Sequence, residues 1–313
     1  MVRRWLVTLL ALFGSTACAR TQVTTTLPQS PDRAQLVANA DPQAQTNWWT
    51  SKPPCPDDAR LTGAAPPTAM AISCELSGML HGPKTTFHEN GKRARAEVYY
   101  RGKLQGRYRQ WYPTGTLEEE GIYRDGLLEG LHTRYFPNGN ERSKGEYHRG
   151  KEAGIFVTYT ESGIRAEEVE YREGKKHGVQ RTFYETGKVR DSVEYAGNVR
   201  HGSAKSYYPN GARRSDGMYS NDAQVGVWRS YLENGKPLEE LQFVAGAKDG
   251  TSIKWHATGA KAIEGPYLVD KKHGLFNYYD EDGTLVKTES YKAGILARVR
   301  RYAPKVPRQI ARR

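Results

Sequence analysis

The sequence predicts an all-β fold, an elongated antiparallel meander of about nine 24-residue β-hairpin repeats in an open, twisted array. Nine glycines from Gly82 to Gly274 are spaced 24 residues apart, and nine more from Gly91 to Gly283 keep the same spacing. Each period also contains two turn signals and two aromatic positions. A fixed period of this length is typical of a repeat array, in which neighbouring units bury each other's faces.

Residues 1–18 are typical of a bacterial export signal. Two arginines precede a short apolar core at residues 5–13. The Ser-Thr-Ala-Cys run that ends at Cys18 resembles a lipobox, after whose cleavage Cys18 would be acylated and anchor the chain in a membrane. Because alanine follows the cysteine, we expect an outer-membrane lipoprotein facing the periplasm or the cell surface. The alternative is ordinary signal cleavage, which would give a soluble periplasmic or secreted protein.

Residues 19–68 predict a tether rich in proline and alanine. Eight prolines occur in this segment, and such a composition does not pack a core. The adjacent rings of Trp48 and Trp49 are the exception, and we expect them to pack on the open end of the array. With Cys18 acylated, Cys55 and Cys74 remain as an even pair. An exported chain meets an oxidising compartment, so a disulfide between them is predicted, with two free thiols as the alternative.

Two turn types divide the array, which we place at residues 69–297 with a cap strand at each end. The first, as in Pro137-Asn138-Gly139, predicts a three-residue hairpin loop that closes with glycine in the left-handed conformation. The second, as in Arg101-Gly102, predicts a two-residue primed turn. About 18 strands of 7–9 residues would lie between these turns. The Gly82 series falls inside strands, where a bulge or a ring lying over bare backbone would explain it.

Aromatic residues recur in two columns, named here the Phe87 column and the Tyr99 column after their first members. We place Phe87 opposite Arg93, which shares the parity of Tyr99, so both columns are expected on one face unless the register shifts by one residue. The rings are either the hydrophobic layer of the sheet itself or a surface that binds a glycan or a partner strand. The Phe87 column supplies the candidate binding surface, which consists of Trp111, Tyr135, Tyr159, Tyr207, Tyr231, Trp255 and Tyr279. The other members of the two columns are Phe183 and the residues Tyr123, Tyr147, Tyr171, Tyr195, Tyr219, Phe243, Tyr267 and Tyr291.

Residues 298–313 form a basic tail. It contains seven lysines and arginines and no acidic residue, whereas residues 74–297 carry 34 basic and 31 acidic residues. The near balance of the array argues against nucleic-acid binding. We expect the tail either to contact anionic headgroups or lipopolysaccharide phosphate or to stay solvated. Its first residues are expected to form a charged last strand. The basic residues concerned are Arg298, Arg300, Arg301, Lys305, Arg308, Arg312 and Arg313.

The repeat unit, as in Phe136-Pro137-Asn138-Gly139 followed by Glu146-Tyr147 and Gly154, resembles the bacterial variant of the MORN repeat. The resemblance covers most of the array and implies a twisted sheet of hairpins. It also implies interaction with proteins or membrane surfaces rather than catalysis. Some bacterial proteins with this repeat are antitoxins, which makes an antitoxin or immunity-type protein the alternative function.

Motifs for chemistry are missing from the sequence, which contains no P-loop, dinucleotide fingerprint, G-x-S-x-G, H-E-x-x-H or paired C-x-x-C. His177 and His201 would lie about 9.6 Å apart, too far to share one metal ion. We therefore expect no catalytic residue, metal or cofactor. The predicted function is a non-enzymatic envelope lipoprotein that acts as a scaffold for a protein partner or a membrane surface.

Overall fold

The computed structural model describes residues 47–303, which form one open antiparallel sheet and one 3-10 turn at Trp48–Thr50. Consecutive strands pair along the chain, except that three two-residue strands, at Lys103–Leu104, Leu127–Leu128 and Lys271–Lys272, pair with the same preceding strand as the longer strand that follows each of them. The predicted hairpin meander is therefore confirmed. Among the described residues, no helix is long and apolar enough to cross a membrane. The strands are β1 Arg60–Ala64, β2 Ala71–Leu76, β3 Met79–Phe87, β4 Arg93–Tyr100, β5 Lys103–Leu104, β6 Gly106–Trp111, β7 Leu117–Arg124, β8 Leu127–Leu128, β9 Gly130–Tyr135, β10 Glu141–His148, β11 Lys151–Tyr159, β12 Arg165–Arg172, β13 Lys175–Phe183, β14 Val189–Ala196, β15 Val199–Tyr207, β16 Arg213–Ser220, β17 Ala223–Tyr231, β18 Pro237–Val244, β19 Ala247–Trp255, β20 Lys261–Leu268, β21 Lys271–Lys272, β22 Gly274–Tyr279, β23 Leu285–Lys292 and β24 Ile295–Arg301.

Both predicted turn types are present. Arg101 and Gly102 have φ values of 47° and 78°, and two successive positive φ values define the primed turn that matches the twist of a hairpin. In the three-residue loop, Gly91 has a φ of 79° and its N–H donates to the His88 carbonyl at 2.8 Å. The turns also join consecutive repeats, because the N–H of Gly102 donates to the carbonyl of Leu80 at 2.8 Å.

The Gly82 series lies at β-bulges. All nine of its glycines have positive φ, a conformation that strains residues with a side chain. In the pair β10–β11, Lys144 lies opposite Val157 and Glu146 opposite Ala153, so one residue of β10 faces three residues of β11, including Gly154. Of the two explanations considered for this series, the bulge is therefore correct.

The expectation that both aromatic columns share one face is wrong. Phe87 does lie opposite Arg93, but the ladder then continues at Arg95, which leaves Ala94 unpaired in a bulge. The extra residue breaks the alternation of side chains between Arg93 and Tyr99. The two columns therefore project to opposite faces, which we call face A for the Tyr99 column and face B for the Phe87 column.

The N-terminal end of the sheet is capped by part of the segment expected to be a tether. Strand β1 pairs with β2, and Cys55 forms a disulfide with Cys74. Trp48 is buried, and its indole N–H donates to Thr85 Oγ1 at 2.9 Å. The ring of Trp49 meets Phe87 edge to face. The disulfide and the indole contacts hold this segment against the array, so the packed region begins before residue 69.

Candidate binding faces

Face A carries its own hydrophobic layer. Rings of the Tyr99 column alternate with a second series of residues, 24 apart, that comes from the strands between them. Tyr108 contacts Tyr123 at a centroid distance of 4.8 Å, and Phe156 contacts Tyr147 and Tyr171 at 5.4 and 5.2 Å. The second series fills the gaps of about 9.6 Å that the column alone would leave. It consists of Tyr108, His132, Phe156, Gln180, Ala204, Trp228, Ser252 and Phe276.

Sequence reasoning missed this second series because its residue types vary. The size of its members is, however, complemented by the size of the residues that they pack against. Where the series has a ring, the residue beneath it is often glycine: a Cβ on Gly217 would lie 2.2 Å from the Trp228 ring. The rings of Phe156 and Phe276 lie over glycine in the same way. Where the series has a small residue, a larger one faces it, as Val193 does opposite Ala204. In these cross-strand pairs, a large residue on one strand therefore compensates for a small residue on the other, which maintains the packing of face A.

In the C-terminal half of the array, cations lie over the Tyr99 column. The Arg200 guanidinium is 4.2 Å from the Tyr219 ring, and the Lys272 ammonium is 4.8 Å from the Tyr291 ring. Lys176 lies 5.3 Å from Tyr195 in the same way. These contacts are favourable because the ring faces are negative. Basic side chains on face A thus serve as packing elements.

Two carboxylates on face A are held ionised by hydrogen bonds. Glu119 accepts from the Tyr108 hydroxyl at 2.8 Å and from Arg134 Nε at 2.9 Å, and it lies 3.6 Å from His132 Nε2. The hydrogen bond with His132 is the largest cause that lowers the pKa of Glu119 to about 2. Tyr278 does the same for Glu289, whose pKa is also lowered to about 2. Both groups accept hydrogen bonds that consolidate the face.

Face B is organised differently. The seven rings from Trp111 to Tyr279 that were selected as a candidate binding surface are half-buried, and within residues 47–303 none of them contacts another ring. Tyr135 donates to Glu120 Oε1 at 3.1 Å, and burial, then Glu120, raises the pKa of Tyr135 to about 12. Beside the column runs a row of ion pairs, such as Arg109 with Glu120 at 3.0 Å.

A third row on face B is largely exposed and largely aliphatic, with Arg107, Ser203 and Thr251 as its polar members. Leu131 is 53% exposed, Ile155 57% and Leu275 54%, and these residues again lie at 24-residue multiples. Ile155 lies two residues before Val157, which is equivalent to Arg109 and lies opposite Glu168, so this row runs beside the ion pairs. Face B therefore presents aromatic, charged and aliphatic rows side by side, whereas the rings of the Tyr99 column on face A each contact another ring or a cation.

The remaining candidate residues lie at the ends of the chain. Arg298, Arg300 and Arg301 are exposed on β24, so the predicted charged last strand exists. Cys18 and the basic residues from Lys305 to Arg313 lie outside the described residues. Between residues 47 and 303, no three His, Cys, Asp or Glu side chains form a group that could hold a metal ion.

A family model described as MORN repeat variant matches five segments of the array, at residues 104–125, 176–196, 200–221, 224–245 and 272–293. The chain contains MORN-variant repeats. The matched segments follow the 24-residue period, and the unmatched hairpins between them have the same turns and bulges. MORN repeats suggest a scaffold that binds membranes or proteins.

Comparison with solved structures finds partial matches, including the following two. "Crystal Structure of TcdB2-TccC3" is 11% identical with a TM-score of 0.19, and the match covers 76% of this chain and 16% of that one. "Crystal Structure of TcdB2-TccC3-Cdc42" is 12% identical with a TM-score of 0.18, covering 75% and 17%. The MORN-variant chain thus spans about a sixth of the length of these chains. No curated protein matches the sequence.

Proposed function

We propose that this MORN-variant protein is a non-enzymatic lipoprotein of the cell envelope, anchored through acylated Cys18, that binds a protein partner on face B. The lipobox-like run before Cys18 and the apolar core at residues 5–13 support the anchor. The family match supports a binding role of the repeats. The basic residues from Lys305 to Arg313 would add contact with anionic headgroups, at about 1 kcal/mol per charge near the surface.

The difference between the two faces carries the choice of face B. On face A, rings such as Phe156 are covered by their neighbours, and its carboxylates accept hydrogen bonds from its own tyrosines. On face B, the seven column rings from Trp111 to Tyr279 have no ring partner among residues 47–303, and Ile155 on the same face is 57% exposed. Exposed apolar side chains next to charged residues are typical of a protein-interaction surface.

The first repeat supports this choice, because a segment of the chain itself already packs on face B there. Trp49 meets the ring of Phe87 edge to face with centroids 5.9 Å apart, and Trp48 donates to Thr85 beside it. Aromatic residues of a partner would find comparable rings on the later repeats, from Trp111 onward. Buried aromatic anchors of this kind dominate binding energy in many interfaces.

The binding role is tested by cross-linking and affinity purification from membranes with the variant Tyr159→Ala/Tyr207→Ala on face B. The matched control is Tyr195→Ala on face A, which also removes a half-buried ring. We expect the face B variant to lose its cross-linked partner while the control keeps it. Equal retention by both variants contradicts the proposal, and specific capture of a toxin would instead indicate the antitoxin alternative.

The anchor is tested separately by membrane fractionation. The Cys18→Ala variant is expected in the soluble fraction, whereas the unchanged chain is expected in the outer-membrane fraction. The double variant Cys55→Ser/Cys74→Ser is the control, because it removes the other two cysteines and leaves the lipobox intact. Membrane retention of the Cys18→Ala variant would contradict lipid anchoring.

A further inference from the structure

Strand β24 differs in exposure from every other strand that the structure describes. All seven residues of β24 are exposed, and Ile295 is 74% exposed. Among the described residues β24 pairs only with β23, so its outer edge presents unpaired backbone groups. A free edge of this kind is a template for a further strand.

The register assigns two arginines of β24 to rows of face B. Arg300 lies opposite Thr288 and Arg298 opposite Ser290. In the earlier hairpin β12–β13, the position equivalent to Thr288 is Glu168, and its partner is Arg181. Arg300 therefore occupies the row of Arg181, and Arg298, two residues before it on the same face, occupies the row of Val179.

Within the array, these two rows face acidic residues on the strand that follows. Arg109 lies opposite Glu120, with an ion pair at 3.0 Å, and Arg229 opposite Glu240, with an ion pair at 2.9 Å. In the other row, Val179 lies opposite Glu194. From β7 to β20, each strand that follows a strand carrying these two rows has an acidic residue opposite at least one of them. These acids are Glu120, Glu146, Glu168, Glu170, Glu194, Asp216, Glu240 and Glu264.

The arginines of β24 lack this complement. Arg300 lies 5.1 Å from the Tyr302 ring, and within residues 47–303 neither Arg298 nor Arg300 forms an ion pair. The chain has no acidic residue after Glu289. In the array's own pattern, the next strand would place an acid opposite at least one of these positions, and β12 places acids opposite both with Glu168-Val169-Glu170.

We propose that the free edge of β24 binds an extended segment of a partner protein by antiparallel pairing, with two acidic residues, two positions apart, opposite Arg298 and Arg300. A second copy of the chain does not fit this description. Two β24 strands would bring arginine against arginine, which is unfavourable. The other described edge, β1 Arg60–Ala64, contains no acidic residue. This inference concerns the edge of the sheet and does not depend on the proposed use of face B.

The experiment measures binding of a labelled peptide with the sequence of residues 165–172, which carries the Glu-Val-Glu pattern, to the full chain by fluorescence anisotropy. Replacement of Arg298 and Arg300 by glutamate should weaken binding about tenfold, because two exposed ion pairs become two repulsions. A peptide with lysine at the positions of Glu168 and Glu170 should restore binding to this variant. The matched control, Arg172→Glu/Lys175→Glu, reverses two exposed charges far from the edge and should bind like the unchanged chain.

Two further readouts decide between strand pairing and simple charge attraction. Hydrogen exchange of the outward amides of β24 should slow when the peptide binds, because pairing protects them. Unchanged exchange, or failure of the charge-swapped peptide to restore binding, overturns the proposal. Vesicles containing phosphatidylglycerol are the third arm. If they bind the chain through Arg298 and Arg300 while the peptide does not, these residues contact a membrane and the proposal is wrong.

Discussion

The compensation between large and small residues on face A predicts that the effects of substitutions at Gly217 and Trp228 on the free energy of unfolding are strongly coupled. A Cβ on Gly217 would lie 2.2 Å from the indole, so Gly217→Val must displace the ring. Overpacking of this kind costs about 1–3 kcal/mol. Trp228→Ala alone removes edge-to-face contacts with Tyr219 and Phe243 and leaves a gap above Gly217, at a cost of about 3 kcal/mol.

The double variant should cost much less than the sum of the two. It recreates the pair that stands one repeat earlier, where Val193 lies opposite Ala204. If the single costs are about 2 and 3 kcal/mol, additivity gives about 5 kcal/mol, whereas refilling the gap should leave about 3 kcal/mol. We therefore expect a coupling of about 2 kcal/mol.

The assay is urea unfolding followed by circular dichroism on all four proteins, combined with hydrogen exchange in β16–β18. Exchange is needed because stability in a repeat array is local and each unit contacts only its neighbours. If the costs of the two single substitutions add to that of the double variant within about 0.5 kcal/mol, the glycine–aromatic pattern does not arise from compensation of side-chain volume.

Three further predictions follow from other contacts. Gly154→Ala should lower the free energy of unfolding by about 1 kcal/mol, because it places a side chain at positive φ. Gly82→Ala should cost more, because its Cβ would also lie 2.7 Å from Pro56. Equal unfolding midpoints of the two variants in urea would contradict this. Removing the disulfide by Cys55→Ser/Cys74→Ser should cost about 3 kcal/mol for a loop of this length and expose Trp48. The readouts are thermal unfolding and tryptophan fluorescence, and an unshifted emission maximum would show that Trp48 stays packed without the bond. The folded state lowers the pKa of Glu119 from 4.5 to about 2, so its stabilisation is complete above pH 4.5 and is lost as the pH falls toward 2. The full shift corresponds to about 3 kcal/mol, which solvent screening reduces to about 1–2 kcal/mol. The variant Glu119→Gln should lack this part of the acid sensitivity in a pH series of urea midpoints, and an unchanged pH profile would speak against it.

The sequence by itself determined the repeat length, the antiparallel meander and both turn types. These follow from local chemistry, because glycine, asparagine and aspartate at fixed positions restrict the backbone of each turn. Arg101-Gly102 and Pro137-Asn138-Gly139 therefore suffice to predict their loops. The cap strand at Ile295–Arg301 could also be predicted, since its alternation of apolar and charged residues is visible in the sequence.

Only the tertiary structure decided which residues share a face. The columns of Phe87 and Tyr99 lie on opposite faces because the unpaired Ala94 interrupts the alternation, and a one-residue shift inverts every side chain that follows it. The series of Tyr108 could not be found from residue type, since its members range from Trp228 to Ala204. The size of its members complements the volume of their partners on the neighbouring strand, and the identity of each partner depends on the register.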